Sequence, residues 1–339
     1  MSRLELKEFI SLREYNTFRI ESKGRYYLEL KNKNELKEAY NFIKYHDLNY
    51  FVLGGGSNIL LPELFNGLVI HNQIKGINVT AETSEYIYIR AGAGLKWDDF
   101  ISECLELGYY GLENLSYIPG TVGASPVQNI SAYGVEVKEF IDSVELFDMS
   151  LAREVFFKER ECYFSYRNSV FKSNPNLIVT AVNFKLNKRP KLNLTYRDVA
   201  EHLKKSKTAT FTPKDLRDLI VNIRKNKLPD PELIPNAGSF FHNPIVDKKV
   251  ADSLLKDYDI PTFNSDHGKV KLSAGWLIEN AGLKGFRLNN VGVYDKHALV
   301  LVNYAGATQK EILDFSRLVK DKVYEKYKVR LSIEPIIIT

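Results

Sequence analysis

Residues 50–58 read Tyr-Phe-Val-Leu-Gly-Gly-Gly-Ser-Asn, a short apolar run with three glycines directly behind it. The pattern predicts a buried strand at Tyr50–Leu53 that ends in a glycine-rich turn. Glycines in such a turn let backbone N–H groups approach an anion closely, and Ser57 and Asn58 add hydrogen-bonding side chains. The glycine spacing fits neither GxGxxG nor a Walker loop, so the stretch alone favours an anion site no more than a tight turn.

The length of 339 residues exceeds one typical hydrophobic core, so we expect two or three domains. Hydrophobic residues make up 44% and charged residues 26%, as in ordinary soluble globular proteins. The formal net charge of +5 favours an anionic ligand, but Lys and Arg do not cluster as nucleic-acid binding requires. We therefore expect a small-molecule partner and no nucleic acid.

Several kinds of site are disfavoured by the sequence. Cys104 and Cys162 are far apart and form no CxxC pair, so we expect inert core thiols in a reducing compartment. No two histidines have metal-ligand spacing, which predicts no metal. The first residues lack the apolar stretch of a signal peptide, and no run is long enough to span a membrane. We therefore expect a cytoplasmic protein with no membrane partner.

Local patterns predict an α+β fold. Residues 97–105 carry apolar side chains at helical spacing, whereas residues 136–186 read mainly as strands. Thr308 and Glu311 form a capping box before a long helix. The character of the chain changes between about residues 190 and 210, where we expect a domain boundary.

Two further loops are candidates for chemistry. Residues 111–134 are rich in Gly, Pro, Ser and Asn, and a loop this long in a compact domain usually binds something. Residues 226–244 contain four prolines, and Gly238 allows an unusual backbone conformation next to Ser239. Ser239 lies in no GxSxG elbow, which disfavours a hydrolase. A turn serine of this kind is most often structural.

Two charged residues lie in apolar surroundings. Arg167 falls in the aromatic stretch 163–169, where a guanidinium stacks on rings or binds a carboxylate. Glu334 falls in the apolar stretch 331–338, where a buried acid needs a partner or a raised pKa. The pattern itself favours an edge strand with Glu334 facing water.

Together these segments resemble the UDP-N-acetylenolpyruvoylglucosamine reductase family. The matching stretches follow one another in the family order over nearly the whole chain, which makes the set specific although each stretch alone is not. They are Tyr15–Phe18, Leu53–Asn58, Ile118–Ala124, Gln128–Asn129, Ala132–Gly134, Tyr166–Ser169, Lys227–Pro231, Asn236–Phe241, Ala274–Ile278, Gly282–Gly285 and His297–Leu301.

The resemblance implies an α+β fold with two domains. The FAD-binding domain would be of the vanillyl-alcohol-oxidase/p-cresol-methylhydroxylase type, with a first lobe at residues 1–75 and a second lobe at residues 76–200. Residues 201–339 would form a C-terminal α+β domain that binds a UDP-sugar. Residues 161–172 with Tyr196 resemble the longer (type I) subtype, in which a tyrosine-bearing excursion folds over the substrate.

The resemblance also implies roles by position. Arg167, Ser239 and Glu334 match the three catalytic positions. Four residues match positions that hold the UDP-sugar: Tyr196, Lys227, Asn243 and Lys284. A larger group would hold non-covalent FAD, mainly through its pyrophosphate and ring edge: Gly54, Gly55, Gly56, Ser57, Asn58, Ile118, Pro119, Gly120, Gly123, Ala124, Gln128, Asn129 and Gly134.

The implied reaction reduces the enolpyruvyl ether of UDP-N-acetylglucosamine to UDP-N-acetylmuramate. FAD would relay a hydride from NADPH to C3, and Ser239 would give a proton to C2. Arg167 would grip the carboxylate and protonated Glu334 would donate to it, while Lys227 would stabilise the serine alkoxide. This reaction serves peptidoglycan synthesis, and with it bacterial cell shape, cell cycle and division. We expect a monomer in the bacterial cytoplasm.

The sequence departs from the family pattern at three positions: His242 replaces Lys or Arg, His297 replaces an amide, and Pro335 replaces an apolar residue. Two alternatives compete with the reductase. One is an alcohol or sugar oxidase of the same fold, which often attaches flavin through a histidine, whereas here Asn58 ends the glycine run. The other is a non-catalytic flavin- or UDP-sugar-binding module, which has no need to keep the three catalytic residues together.

Overall fold

The computed structural model describes residues 4–205, 211–264 and 268–339, and these fold with mixed helix and strand content. The helices are α1 (Glu35–His46), α2 (Trp97–Glu106), α3 (Val170–Ser173), α4 (Arg197–Lys205), α5 (Pro213–Lys227), α6 (Lys248–Asp257), α7 (Ala274–Asn280) and α8 (Gln309–Tyr327). The strands are β1 (Leu6–Ser11), β2 (Lys23–Leu30), β3 (Tyr50–Leu53), β4 (Ile59–Leu60), β5 (Leu64–Asn72), β6 (Ile77–Glu82), β7 (Tyr86–Gly92), β8 (Ser131–Ala132), β9 (Val135–Glu136), β10 (Ile141–Asp148), β11 (Arg153–Lys158), β12 (Leu177–Asn187), β13 (Asn236–Ser239), β14 (Ile245–Asp247), β15 (Thr262–Asn264), β16 (Lys269–Leu272), β17 (Arg287–Leu288), β18 (Val291–Val293), β19 (Val300–Asn303) and β20 (Ile336–Ile337).

The chain divides into two compact units. The first unit comprises Met1–Ile10, Gly24–Gly55 and Asn66–Arg224. The second unit comprises Ser11–Lys23, Gly56–Phe65 and Lys225–Thr339. The division after Arg224 differs from the predicted boundary at residue 200. The physical reason is a small core in which Val199 of α4 and Leu216 of α5 are buried with Tyr133 and other residues of the first unit.

Two sheets build the first unit, one on each side of residue 75. Strands β1, β2, β5 and β3 form a four-stranded sheet in that order, and β3 runs parallel to β5 with Tyr50 opposite Leu68. Strands β11, β10, β12, β7 and β6 form an antiparallel five-stranded sheet. Helix α1 packs in the core of the first sheet, and the apolar face of α2 packs in the core of the second. Strand β3 belongs to the first of these sheets, so the glycines that follow it begin at a fixed position.

The second unit has its own antiparallel sheet in the order β13, β19, β18 and β17. Helices α7 and α8 bury Leu277 and Phe315 in its core, and Phe18 and Leu60 belong to the same core. That shared burial explains why two early segments of the chain fold with the C-terminal part. The side-chain amide of Gln309 donates to the Leu60 carbonyl at 2.9 Å in β4, which runs parallel to β20.

Several local predictions can be compared with these elements. The capping box before α8 is confirmed, since Thr308 Oγ1 accepts from the Glu311 amide at 3.2 Å and Glu311 Oε2 accepts from the Thr308 amide at 2.8 Å. Cys104 and Cys162 are buried as predicted, and burial raises the pKa of the Cys162 thiol to about 12. Among the described residues, no helix is long and apolar enough to cross a membrane, and no cluster of His, Cys, Asp or Glu could hold a metal ion.

An ion pair joins α2 to α5 in the first unit. Arg217 donates through both Nη atoms to the Asp98 carboxylate at 2.7 and 2.9 Å, and the Tyr117 amide donates to the same carboxylate at 2.5 Å. The Arg217 and Asp98 side chains are only 16% and 29% exposed, so solvent screens the pair in part. Burial alone would raise the pKa of Asp98, but the hydrogen bonds from Arg217 and Tyr117 outweigh it and hold the pKa below its usual value.

We expect Asp98→Asn to lower the free energy of unfolding by about 1–3 kcal/mol at neutral pH, because it leaves the Arg217 guanidinium without its counter-charge. The depressed pKa gives the effect a pH dependence. The contribution of Asp98 is complete above its unfolded pKa of about 3.9 and is lost as the pH falls through the lower folded pKa. Denaturant unfolding measured across the acid range should show a flatter pH dependence in the variant.

The matched control is Asp99→Asn, which changes the same group at the exposed neighbouring position. It should leave the free energy of unfolding within about 0.5 kcal/mol of the wild type. Equal destabilisation by the two variants would contradict a specific role for the Asp98–Arg217 pair.

Candidate functional site

The two glycine-rich loops of the first unit touch backbone to backbone. A Cβ atom on Gly55 would lie 2.8 Å from the Cα of Gly120, and a Cβ atom on Gly54 would lie 2.8 Å from Thr121 Oγ1. Such approaches are too close for any side chain, so glycine is required by space alone. The loop that follows β3 and the loop around residue 120 therefore form one surface without side chains, which fits the close approach of a cofactor.

The second of these loops is held in place by backbone hydrogen bonds and close packing. The Gly120 carbonyl accepts from the Trp97 amide at 3.1 Å, and the Gly123 amide donates to the Ala93 carbonyl at 2.8 Å. A Cβ atom on Gly123 would lie 2.5 Å from that of Ala93. The amides of Gly123 and Ala124 are both used within the protein, so these residues shape the loop and do not offer their N–H groups to a ligand.

The two amide residues of the loop differ in what they contact. Asn129 is buried and used internally: its Nδ2 donates to Glu136 at 2.9 Å and to the Ser165 carbonyl at 3.2 Å. Gln128 is also buried, but its Nε2 has no hydrogen-bond partner among the described residues. A buried donor without a partner costs about 1–3 kcal/mol, so Gln128 fits a site completed by a bound acceptor group.

The remaining loop residues predicted to hold FAD are placed as follows. Ile118 packs against the core of the five-stranded sheet, and Pro119 is exposed beside it. The Gly134 carbonyl accepts from Asn193 Nδ2 at 3.2 Å. Gly56, Ser57 and Asn58 lie in the second unit, where the Asn58 carbonyl accepts from the Ile336 amide at 2.9 Å.

Two guanidinium groups lie near each other in the first unit. Arg167 sits at a left-handed backbone position with φ 53°, and its Nη1 donates to Ser131 Oγ at 2.9 Å. Arg224 on α5 donates through Nε to the Tyr117 carbonyl at 3.0 Å and also contacts the Tyr133 hydroxyl. Burial lowers the pKa of Arg224, and the positive charge of Arg167 acts in the same direction. Both groups stay charged, so the place suits an anion.

Sequence reasoning missed Arg224 although a signal was present. The residue follows Leu216 and Ile220 at spacings that continue the apolar stripe of α5. A charged residue on a buried stripe requires hydrogen-bond or charge partners. The nearby Tyr133 ring packs edge to face on Tyr196, with ring centroids 5.1 Å apart, so one predicted substrate residue lies beside this pair of cations.

In the second unit, Ser239 ends β13 opposite Val300 of β19. The preceding Gly238 has a φ of 69°, and a Cβ atom there would meet nothing within 4 Å, so the backbone conformation and not space requires the glycine. Asn236 fixes this part of the strand: its Oδ1 accepts from the Gly238 amide at 2.8 Å, and its Nδ2 donates to the Ile234 carbonyl at 2.8 Å. The prediction that Ser239 lies in a turn is therefore wrong, because the serine ends a strand whose register shifts between Asn236 and Ser239.

Glu334 lies on the backbone segment that pairs with residues 240–242, directly after Ser239. Its amide donates to the Phe240 carbonyl at 2.9 Å, one residue after Ser239. The Glu334 side chain is only 12% exposed, and its Oε2 lies 3.4 Å from His242 Nδ1. The expectation that Glu334 faces water at a strand edge is therefore wrong, because the segment pairs with residues 240–242 and buries the acid beside a histidine.

The other candidate substrate residues of the second unit differ in their contacts and in their exposure. Asn243 Oδ1 accepts from the Ala274 amide at 2.9 Å and so fixes the start of α7. Lys284 is exposed and pairs with Glu279 at 2.8 Å. Lys227 is exposed at the end of α5. Two exposed lysines can reach a diphosphate at little desolvation cost.

Comparison with protein families finds two matching models. Residues 230–338 match the model of the UDP-N-acetylenolpyruvoylglucosamine reductase C-terminal domain, and residues 25–150 match a model of an FAD binding domain. Among curated proteins, the UDP-N-acetylenolpyruvoylglucosamine reductase of Amoebophilus asiaticus is 43% identical over 99% of this chain and 100% of its own length. The reductase of Chromobacterium violaceum is 42% identical over 99% of each chain.

Solved structures share the fold. The UDP-N-acetylenolpyruvylglucosamine reductase of Thermus caldophilus superposes with a TM-score of 0.67 at 24% identity and covers 99% of both chains. The 6-hydroxy-D-nicotine oxidase of Arthrobacter nicotinovorans has a TM-score of 0.54 at 10% identity over 97% of this chain and 87% of its own. A VAO-type flavoprotein of Myceliophthora thermophila has a TM-score of 0.51 over 94% of this chain and 73% of its own. The predicted fold class is confirmed.

The close contact of the two loops predicts the effect of Gly55→Ala. The added methyl group must push the Gly120 backbone away, and such overpacking costs about 1–3 kcal/mol. We expect the affinity for flavin to fall by about tenfold or more. Absorbance of the purified protein and fluorescence titration of the flavin-stripped protein with FAD measure the change.

Gly275→Ala is the control for adding a methyl group. Its Cβ atom would lie 3.5 Å from Leu299 Cγ, which is an ordinary contact. This variant should bind flavin like the wild type. If Gly55→Ala also bound flavin like the wild type, the contact between the loops would have no part in binding.

Proposed function

The chain belongs to the UDP-N-acetylenolpyruvoylglucosamine reductase family and is an FAD-binding oxidoreductase, and from that premise we propose that it reduces the enolpyruvyl ether of its UDP-sugar substrate with NADPH. The product is UDP-N-acetylmuramate. The observation that carries the proposal is that Ser239 and Glu334 lie on neighbouring backbone segments: the amide of the buried acid donates to the carbonyl of Phe240, the residue after Ser239. These are the residue types that a proton-coupled reduction of a carbon–carbon double bond requires.

The residues present fit FAD. Cβ atoms at Gly54 and Gly55 would clash with Thr121 Oγ1 and Gly120 Cα, so the two loops meet without side chains and present backbone to a cofactor, and Gln128 Nε2 is a buried donor that needs an acceptor. When bound, FAD supplies the hydride relay between a reduced nicotinamide and C3 of the enolpyruvyl group. We propose that FAD is held non-covalently by all the residues that the family resemblance implies. Among them, Gly123, Ala124 and Asn129 shape the loop.

Arg167 and Glu334 stabilise the charge that develops during reduction. Hydride addition at C3 leaves negative charge on C2 and on the adjoining carboxylate. Arg167 binds that carboxylate through its guanidinium, and Arg224 adds positive charge near Arg167. Glu334 in its protonated form donates to the same group. One well-placed donor of this kind lowers the barrier by roughly 3–4 kcal/mol.

Ser239 completes the reaction by giving its hydroxyl proton to C2. A serine hydroxyl is a poor acid in water, so its fixed position and the stabilisation of its alkoxide decide whether it can act. We assign that stabilisation to the ammonium group of Lys227. The hydrogen bond from the Gly238 amide to Asn236 serves the same purpose, because it fixes the backbone directly before Ser239.

Tyr196, Asn243 and Lys284 bind the rest of the UDP-sugar, and the exposed lysines suit its diphosphate. The enzyme would act as a monomer in the bacterial cytoplasm with small molecules as its partners. Its product feeds peptidoglycan synthesis, and through it cell shape, the cell cycle and cell division.

We expect Ser239→Ala to separate the two halves of the reaction. Reduction of the bound flavin by NADPH under anaerobic conditions should proceed within about twofold of the wild-type rate. Reoxidation by UDP-N-acetylenolpyruvoylglucosamine should slow by about a hundredfold or more, because a general acid contributes 10²–10⁴-fold. Stopped-flow flavin absorbance measures both rates.

Ser150→Ala, at an exposed turn, is the matched serine control and should leave both rates unchanged. Reoxidation of Ser239→Ala at the wild-type rate would remove Ser239 from the mechanism.

A further inference from the structure

We propose that His242 is a positioning residue for Glu334. In this assignment a small rotation of the imidazole brings its Nδ1–H into a hydrogen bond with Glu334 Oε2, 3.4 Å away in this structure, and that bond fixes the rotation of the carboxyl group. The inference rests on the proposed function, because Glu334 acts there as a hydrogen-bond donor to the substrate. It adds a residue at a position where the sequence departs from the family pattern of Lys or Arg.

The distance and burial of the two side chains support a direct contact. His242 Nδ1 lies 3.4 Å from Glu334 Oε2, and the side chains are 19% and 12% exposed. A pair shielded to this extent interacts more strongly than one in open solvent, where such contacts contribute little. At 3.4 Å the two atoms lie just beyond the ordinary hydrogen-bond distance, so the proposed bond requires only a small rotation of the imidazole.

Backbone pairing places the two residues on the same face. Phe241 lies opposite Ile333 in an antiparallel bridge, the His242 amide donates to the Ser332 carbonyl at 3.0 Å, and the Glu334 amide donates to the Phe240 carbonyl at 2.9 Å. In this register residue 242 is diagonal to residue 334, and residues two apart share a face. The contact is thus set by strand geometry and not by two long flexible side chains that happen to meet.

The chemistry of the partner decides what form the acid can take. A lysine or arginine beside Glu334 would be permanently charged and would hold the carboxylate ionised. An imidazole in its neutral form instead donates through one nitrogen and adds no net charge. His242 consequently suits an acid that must donate, and its Nδ1 is the atom that has to carry the hydrogen.

Three substitutions at His242 separate the effect of the position of the donor nitrogen from the effect of side-chain size. His242→Asn keeps a donor nitrogen on Cγ, where Nδ1 stands, His242→Gln moves the donor outward toward the Nε2 position, and His242→Phe keeps a ring without any donor. We expect flavin reoxidation by the UDP-enolpyruvyl substrate to slow by about tenfold or more in the Phe and Gln variants and to recover to within about threefold in the Asn variant. Flavin content, melting temperature and the rate of flavin reduction by NADPH should be those of the wild type in all three.

A second readout needs no turnover. Protein labelled with ¹⁵N-histidine should show His242 Nδ1 as the protonated nitrogen, with a resonance that shifts in Glu334→Gln. His46→Phe, the same change at an exposed histidine, is the control and should leave every rate unchanged.

The outcomes distinguish the two claims. Equal reoxidation rates in the wild type and His242→Phe would overturn the positioning role alone. A Gln variant that recovers as well as the Asn variant would overturn the assignment to Nδ1. A wild-type enzyme that the substrate cannot reoxidise would overturn the proposed function, and the role of His242 with it.

Discussion

The contact between the glycine loop after β3 and the loop around Gly120 is the constraint on which the first unit depends. At 2.8 Å from a Cβ position on Gly55 to the Gly120 backbone, neither loop can carry a side chain at the meeting point. The result is a stretch of backbone without side chains that β3 holds on one side and the start of α2, through the Trp97 amide, holds on the other. A dinucleotide needs such a surface, because its pyrophosphate is bound best by backbone N–H groups at close range.

In the second unit, too, the backbone holds the candidate functional groups in fixed positions. Its candidate catalytic groups are a serine, which is a poor acid in water, and a carboxylic acid. Strand β13, which contains Gly238, and the pairing of residues 240–242 with residues 332–334 fix their backbones before any side chain acts. Preorganised donors cost nothing to reorganise at the moment of reaction, which is where most of their effect comes from.

The sequence predicted much of the fold and only part of the site. The glycine run, the capping box at Thr308 and the order of the family motifs were readable, because each depends on local residues. Two features were not. Arg224 continues the apolar stripe of α5, but the spacing does not show that Tyr117 and Tyr133 contact it. Glu334 pairs with a segment about ninety residues away in the chain, and contacts between distant segments leave no local pattern.

The most direct measurement of the central claim is an anaerobic absorbance titration of the purified wild-type protein. NADPH should bleach the flavin, and UDP-N-acetylenolpyruvoylglucosamine added afterwards should restore the yellow colour in an amount equal to the flavin present. A colourless protein that takes up no FAD on reconstitution would contradict cofactor binding by the glycine loops. Bleaching without return of colour would contradict the assigned substrate and leave only the fold.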